Sequence, residues 1–406
     1  MRKVSPQTRR RDDPPVFVTY GWCRTSYAVV HSLGRRNIPV HVGDASPLAM
    51  SRYSKYTRSF SRLPDFFTRP EPYFESVCRA LKKTGAKVLL PCHEDIGIFS
   101  RYREALPAGI VAPLPPFPLY DRIEDKWGCI QLAREHGCPV PKTSLVASLA
   151  DLERYKNSSE WPLVLKTRAG NGAKGVRVAR DYDALRSEFA ALVEANRLPP
   201  DRWPIIQEFL PGGVMGVGVI YHRGRCIAAS ADRYLRFKDS GLTGTSTFRE
   251  IPDRFDLVDV ALAFMDKIGW HGMAQLEFIP DREGVPRLNE INARPWGSMA
   301  LAIQGGVDFP YLWYRSALDD PPPSTVRPDR SARCRWLVGE AIAFAQLLRR
   351  RRLSEALSVL RPSRRCGHDD FHLQDPLPLV FECFDYFAKM IKEGGAFNPI
   401  TQGQIR

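Results

Sequence analysis

The sequence predicts an α/β protein whose later part is better described as α+β, and three observations carry that expectation. Short apolar runs alternate with helical runs over the first hundred residues; a lysine-bearing apolar run leads into a glycine-rich loop at 163–175; and two extended runs, Met273–Ile279 and Val285–Asn292, carry acidic groups inside apolar surroundings. The chain of 406 residues, 44% apolar and 26% charged, is long enough for two or three packed units with buried cores.

After a basic tail, residues 1–15, the run Val16–Gly21 reads as a buried strand and Ser26–Leu33 as a helix that stops near Gly34. Ile38–Val42 is a second strand, Tyr73–Lys83 a helix and Val88–Pro91 a third strand. Strands alternating with helices indicate a parallel sheet with helices on its faces. Residues 16–115 are therefore expected to form one Rossmann-like domain, although no G-x-G-x-x-G occurs there. Five prolines between Pro107 and Pro118 can continue neither element and mark the first boundary. Asp121–His136 reads as one helix ending near Gly137.

Leu163–Lys166 is a strand, and Val176–Val178 is the next. Between them Gly170, Gly172 and Gly175 would let backbone N–H groups approach phosphate oxygens, with Lys166 and Lys174 on either side. The pattern is not G-x-x-x-x-G-K-[ST] and no helix follows, so a P-loop is excluded. Trp203–Leu210 reads as a strand that breaks at Pro211-Gly212-Gly213. Such a break frees backbone groups of Gln207, Glu208, Phe209 and Leu210 to read the edge of a base. Val214–Tyr221 and Arg225–Ser230 form a hairpin about Arg223-Gly224, Phe255–Ile268 an amphipathic helix, and Trp270–Ile279 and Val285–Asn292 two more strands. Asp319–Pro323 marks the second boundary, and residues 321–406 read as mostly helical.

Alternate residues of a strand share a face. Glu290, Asn292 and Arg294 are thus expected on one surface, with Glu277 supplied by the neighbouring strand. Two carboxylates and a neutral oxygen suit Mg²⁺, a hard cation that keeps bonds to phosphates. An adjacent Arg suits the charge on a transferring phosphoryl group.

The net charge of +14 invites a nucleic-acid reading, but eight of those charges lie in residues 1–13 and 321–406. No nucleic-acid partner is expected. Arg349–Arg352, the one dense cluster, reads first as a solvated helix face, with an anionic membrane surface or RNA as the competing reading. Nine scattered Cys without a C-x-x-C pair fit a reducing cytoplasm. Neither a secretory signal nor an apolar run of membrane-spanning length is present in the sequence.

With these residues in hand, the chain resembles the ATP-grasp superfamily, in the branch of carbamoyl phosphate synthetase, biotin carboxylase and the carboxylate–amine ligases. The resemblance spans roughly residues 16–318 and is strongest over 163–297. It implies an ATP-grasp domain over 116–320, with a lid subdomain at about 143–210, preceded by a Rossmann-like domain and followed by a mainly helical region. Lys126 resembles the lysine at the pocket entrance, Lys166 the α-phosphate lysine, Gly170–Gly175 with Lys174 the lid, and Gln207–Leu210 the adenine hinge. Glu277, Glu290 and Asn292 match the Mg²⁺ ligands and Arg294 the phosphate-binding arginine that follows them. His271 stands where many relatives carry an Arg facing the reacting carboxylate. The acidic residue with which relatives bind ribose is missing from Gly213–Gly216. The implied chemistry is ATP- and Mg²⁺-dependent joining of a small carboxylate to an amine through an acyl phosphate, with Mn²⁺ as a substitute metal and a homodimer as the assembly. A carboxylase or carbamoyl-phosphate type using bicarbonate, and a non-catalytic nucleotide-binding or basic surface-binding protein, are the alternatives.

Overall fold

The computed structural model describes residues 13–170, 174–239, 244–252, 256–363 and 365–393. Gly172, the tail before Asp13 and residues 240–243 lie outside them. The first unit runs β1 (Val16–Val18), α1 (Arg24–Gly34), β2 (Val40–Asp44), β3 (Thr57–Arg62), α2 (Pro70–Thr84), β4 (Val88–Leu90) and α3 (Ile96–Arg101). Among the described residues its strands form a parallel sheet in the order β3-β2-β1-β4. The strand β3, half-exposed and polar, carries no alternation that the sequence would reveal.

Two helices follow, α4 (Phe117–Glu124) and α5 (Lys126–Glu135), where one was expected. The break falls at Asp125, whose extended backbone frees its carboxylate to accept from Trp127 N at 3.1 Å as the N-cap of α5. The break sets Lys126 at the start of a helix, aimed away from the helix body.

The unit expected as the lid comprises β5 (Thr143–Ser144), β6 (Leu163–Lys166), β7 (Val176–Ala179), α6 (Tyr182–Asn196) and β8 (Ile205–Glu208). Its sheet order is β5-β8-β6-β7, backed by a core of its own around Leu165, Leu185 and Phe189.

The large sheet is built from β9 (Met215–His222), β10 (Arg225–Phe237) and β11 (Ser246–Glu250), then α7 (Asp256–Met265), β12 (Gly272–Pro280) and β13 (Pro286–Asn292). Arg223 and Gly224, both at positive φ, close the β9–β10 hairpin. After α8 (Met299–Gln304) and α9 (Phe309–Ala317), the chain does not leave this sheet. β14 (Arg333–Arg335) pairs with β11, and β15 (Cys366–His368) with β14, completing the order β13-β12-β9-β10-β11-β14-β15. The last region, read as mostly helical, therefore splits its role. Its strands extend the central sheet, while α10 (Leu337–Arg349), α11 (Leu353–Val359) and α12 (Leu377–Glu393) pack outside it.

One buried cluster joins Val16, Val18 and Val30 of the first unit to Ile220, Trp296 and Trp313. That shared core fixes the first unit against the large sheet, so their facing loops form one wall. No helix among the described residues is long and apolar enough to cross a membrane.

Candidate active site

A cavity of about 310 Å³ opens between the lid, the large sheet and the loops of the first unit. Lys126, Lys166, Gly170, Lys174, Gly175, Gln207, Glu208, Phe209, Leu210, Glu277, Glu290, Asn292 and Arg294 all line it. Residues up to 168 positions apart in the sequence thus share one space.

Glu277 and Glu290 are direct cross-strand partners of β12 and β13. The next rung pairs Phe278 with Leu288, which leaves Asn289 as the extra residue of a β-bulge. The bulge turns Asn289 toward the cavity beside Glu290, where its Oδ1 accepts from Lys166 Nζ at 2.6 Å. Strict alternation would have sent Asn289 to the opposite face, so no periodic pattern points to it.

The two carboxylates titrate as a pair. Glu277 is pushed up, first by burial and then by the charge of Glu290, although Tyr234 donates to its Oε1 at 3.1 Å. Burial also opposes charge on Glu290, but Lys126, Lys166 and Arg294 more than offset it and hold Glu290 below the usual carboxylate range. Lys126 Nζ lies 3.5 Å from Glu290 Oε2 and donates to Gly170 O at 3.0 Å, tying the metal-type ligands to the glycine loop. Two opposed, half-buried carboxylates, one of them pushed toward its protonated form, make a site that a divalent cation would relieve. With Asn292 they supply the hard oxygen set that Mg²⁺ prefers.

At the loop, Gly170 adopts φ +126°, and a Cβ on Gly175 would meet Thr167 Oγ1 at 2.0 Å. Gly170 needs glycine for its backbone angle, and Gly175 because a side chain there would strike that of Thr167. Lys166 is almost fully buried, and its pKa falls to about 8, chiefly from desolvation, with Lys126 adding to the fall and Glu290 and Glu277 opposing it. Arg294 donates to Asn292 Oδ1 at 3.2 Å and lies 3.7 Å from Glu94 Oε1. At the hinge, Glu208 N already donates to Lys142 O at 3.0 Å, so the donor for a base edge would be an amide beyond the strand end, at Phe209 or Leu210, and Glu208 could offer only its carbonyl.

His271 is the exception. It is not among the residues that line the cavity; it precedes β12, six residues before Glu277, or roughly 20 Å of extended chain. Its Nδ1 accepts from Arg223 N at 3.0 Å in the hairpin turn. Burial first, then His222, Arg103 and Arg223, lower its pKa to about 4, so it is a neutral acceptor in the turn. The expectation that it faces the reacting carboxylate is corrected: the strand direction carries it to the opposite end of the sheet. Arg24, at the start of α1, and Glu94, in the loop before α3, also line the cavity and carried no motif.

A four-stranded lid over a hinge, facing paired carboxylates on a long, mainly antiparallel sheet, defines the ATP-grasp arrangement. Residues 202–340 match the family described as ATP-grasp in the biosynthetic pathway with Ter operon, and residues 123–213 match the RimK-like ATP-grasp domain. Residues 123–340 of this chain form an ATP-grasp domain. Among curated proteins, the propionyl-CoA carboxylase alpha chain of Ruegeria pomeroyi is 28% identical over 133 residues, 32% of this chain and 20% of that protein. The chain thus matches about a fifth of that relative's length. Among solved structures, the biotin carboxylase domain of Hydrogenobacter thermophilus 2-oxoglutarate carboxylase, in complex with MgADP, ADP and bicarbonate, superposes with a TM-score of 0.66 at 15% identity, covering 80% of this chain and 74% of that one. An L-amino acid ligase from Bacillus licheniformis gives a TM-score of 0.60 at 18% identity, covering 80% of each. At these identities the likeness is one of fold.

Proposed function

We propose that the chain is an ATP- and Mg²⁺-dependent ligase that joins a carboxylate to an amine through an acyl phosphate. The observation that carries this reading is the Glu277–Glu290 rung with Asn292 beside it, set among Lys126, Lys166 and Arg294 in the cavity that also holds the hinge. Backbone groups of Glu208 and Leu210 would take the adenine, and Lys166, Lys174 and the glycine loop the phosphates. Glu277, Glu290 and Asn292 would hold Mg²⁺, or Mn²⁺ in its place, which neutralises phosphate charge when bound.

Arg294 would hold the transferring phosphoryl group. The substrate carboxylate attacks the γ-phosphorus, ADP leaves, and the amine then displaces phosphate from the acyl carbon to give an amide. No nucleophilic side chain is needed. The MgADP complex of the biotin carboxylase domain and the ligase activity named for the B. licheniformis protein support this reading. Nine free cysteines suit a cytoplasmic enzyme, and the dimer named for the biotin carboxylase domain supports a homodimer.

The match to a carboxylase alpha chain favours one second reading, in which bicarbonate is the acid. ADP release should be measured with pooled acids and amines and, separately, with bicarbonate. Release that requires both an acid and an amine supports the ligase; release that needs bicarbonate in place of the organic acid supports the second reading.

A further inference from the structure

The last helix, α12, lies on the protein with its acidic side inward. Glu382 and Asp385 are buried. Glu382 accepts from the Trp336 indole N–H at 3.0 Å, and Asp385 accepts from the Trp22 indole N–H and, at 2.8 Å, from Ser46 Oγ. Lys389, one turn on, pairs with Asp385 at 2.7 Å and stands over the Trp22 ring. These three charges are thus taken up within the chain.

The opposite side is apolar and open to solvent. Leu377, Val380, Phe384, Phe387 and Ile391 are 43–68% exposed. Their spacings alternate between three and four residues over two heptads, the a/d pattern of a helix that packs along another helix. A surface helix ordinarily turns such a stripe toward its own core; here two indoles and a serine anchor the other side, and the stripe points outward. With Met390 beside it, the stripe presents roughly 600 Å² of apolar side chain, the upper limit of what a monomer leaves open and close to the about 800 Å² that each partner gives to a stable interface.

Charge decides what covers it. A helix that lies on an anionic membrane carries lysines and arginines along its polar face. The basic residues of α12 are Lys389, which pairs with Asp385, and Lys392 at its end. The positions flanking the stripe, Phe381, Cys383, Ala388 and Met390, are uncharged. A partner must therefore offer an apolar seam of the same length and period, and a second copy of α12 does so by construction.

We propose that α12 is the interface of a homodimer, in which the stripe from 377 to 391 packs against the same stripe of a second copy about a two-fold axis. Phe384, midway along the stripe, then meets its own counterpart. This rests on the homodimer reading given above and not on the reaction.

The test is sedimentation of the full chain, which should give twice the 46.0 kDa of one copy. Phe384→Glu and, separately, Phe387→Glu should each weaken pairing by about a hundredfold or more and keep the far-ultraviolet spectrum of the wild type, since both side chains are exposed. Phe387→Ser serves if the acidic variants fail to fold. Leu357→Glu, on the exposed side of α11, should leave pairing intact. A folded α12 variant that stays paired would overturn the interface and leave the homodimer standing. A wild-type chain that sediments as a single copy would overturn both; if that single copy floats with phosphatidylglycerol vesicles and the Phe384→Glu variant does not, the stripe is a membrane contact instead.

Discussion

Glu277 and Glu290 share one rung of the β12–β13 ladder, and the bulge at Asn289 beside that rung brings Lys166 against the same pair. Repulsion between the carboxylates and attraction from the surrounding cations therefore act on adjacent groups. A cation bound there is favoured by both carboxylates, and the lysine stays available to the phosphates.

This arrangement predicts unequal effects of removing each acid. Glu290→Gln and Asn292→Ala should each lower Mg²⁺-dependent ADP release by more than about a hundredfold, or about 2.7 kcal/mol at the transition state. Glu290→Gln should also cost about 1–2 kcal/mol of stability, because Lys126 and Lys166 lose their counter-charge. Glu277→Gln removes a repulsion instead and should leave metal-free stability unchanged or raised. Urea unfolding and ADP release measure both; turnover like wild type in the Glu290 or Asn292 variant would remove the metal assignment.

Lys166 predicts a pH dependence of nucleotide binding. Its folded pKa of about 8 lies below the unfolded 10.5, so folding gains as pH rises from 8 toward 10.5, where the unfolded chain holds the proton longer. Nucleotide binding runs the other way: the ammonium that meets the phosphates is lost above pH 8, and ADP affinity should fall there. Lys166→Met should bind ADP more weakly at pH 7 and show little change between pH 7 and 9. Calorimetric titration across that range decides, and an unaltered pH slope in the variant would take Lys166 out of the phosphate site.

At the hinge, amide hydrogen exchange should separate neighbouring residues. Glu208 N is already bonded to Lys142 O, so nucleotide should add little protection there. Leu210, past the strand end, should slow by tenfold or more with saturating MgADP. Equal exchange at Leu210 with and without nucleotide would place adenine elsewhere.

His271 predicts acid lability with little effect on catalysis. Its pKa of about 4 in the folded chain against 6.5 unfolded means that its contribution is fully present above pH 6.5 and lost as pH falls toward 4. The loss should be about 2 kcal/mol, allowing for its partial exposure. His271→Gln should flatten the acid side of the stability profile and leave the pH profile of ADP release above pH 6.5 unchanged. A variant that loses activity at neutral pH while keeping its stability would return His271 to the reaction.

By itself the sequence determined the local elements and the chemical character of most of the site. Alternation in Glu290–Asn292–Arg294, the three-glycine loop after Lys166 and the proline break after Leu210 are short-range signals, set by two-residue periodicity and backbone freedom within a few residues. Tertiary structure decided what lies next to what. The bulge at Asn289 arises from pairing between strands, and the split at Asp125 depends on Arg168, whose Nε donates to its carboxylate from 43 residues away. His271 and Glu277 share one strand run, yet sheet direction sends only Glu277 into the cavity. Arg24, Glu94 and Arg294 belong to distant segments and share no motif. Their meeting depends on the core shared by the first unit and the large sheet. Long-range packing of this kind leaves no periodic trace in the chain.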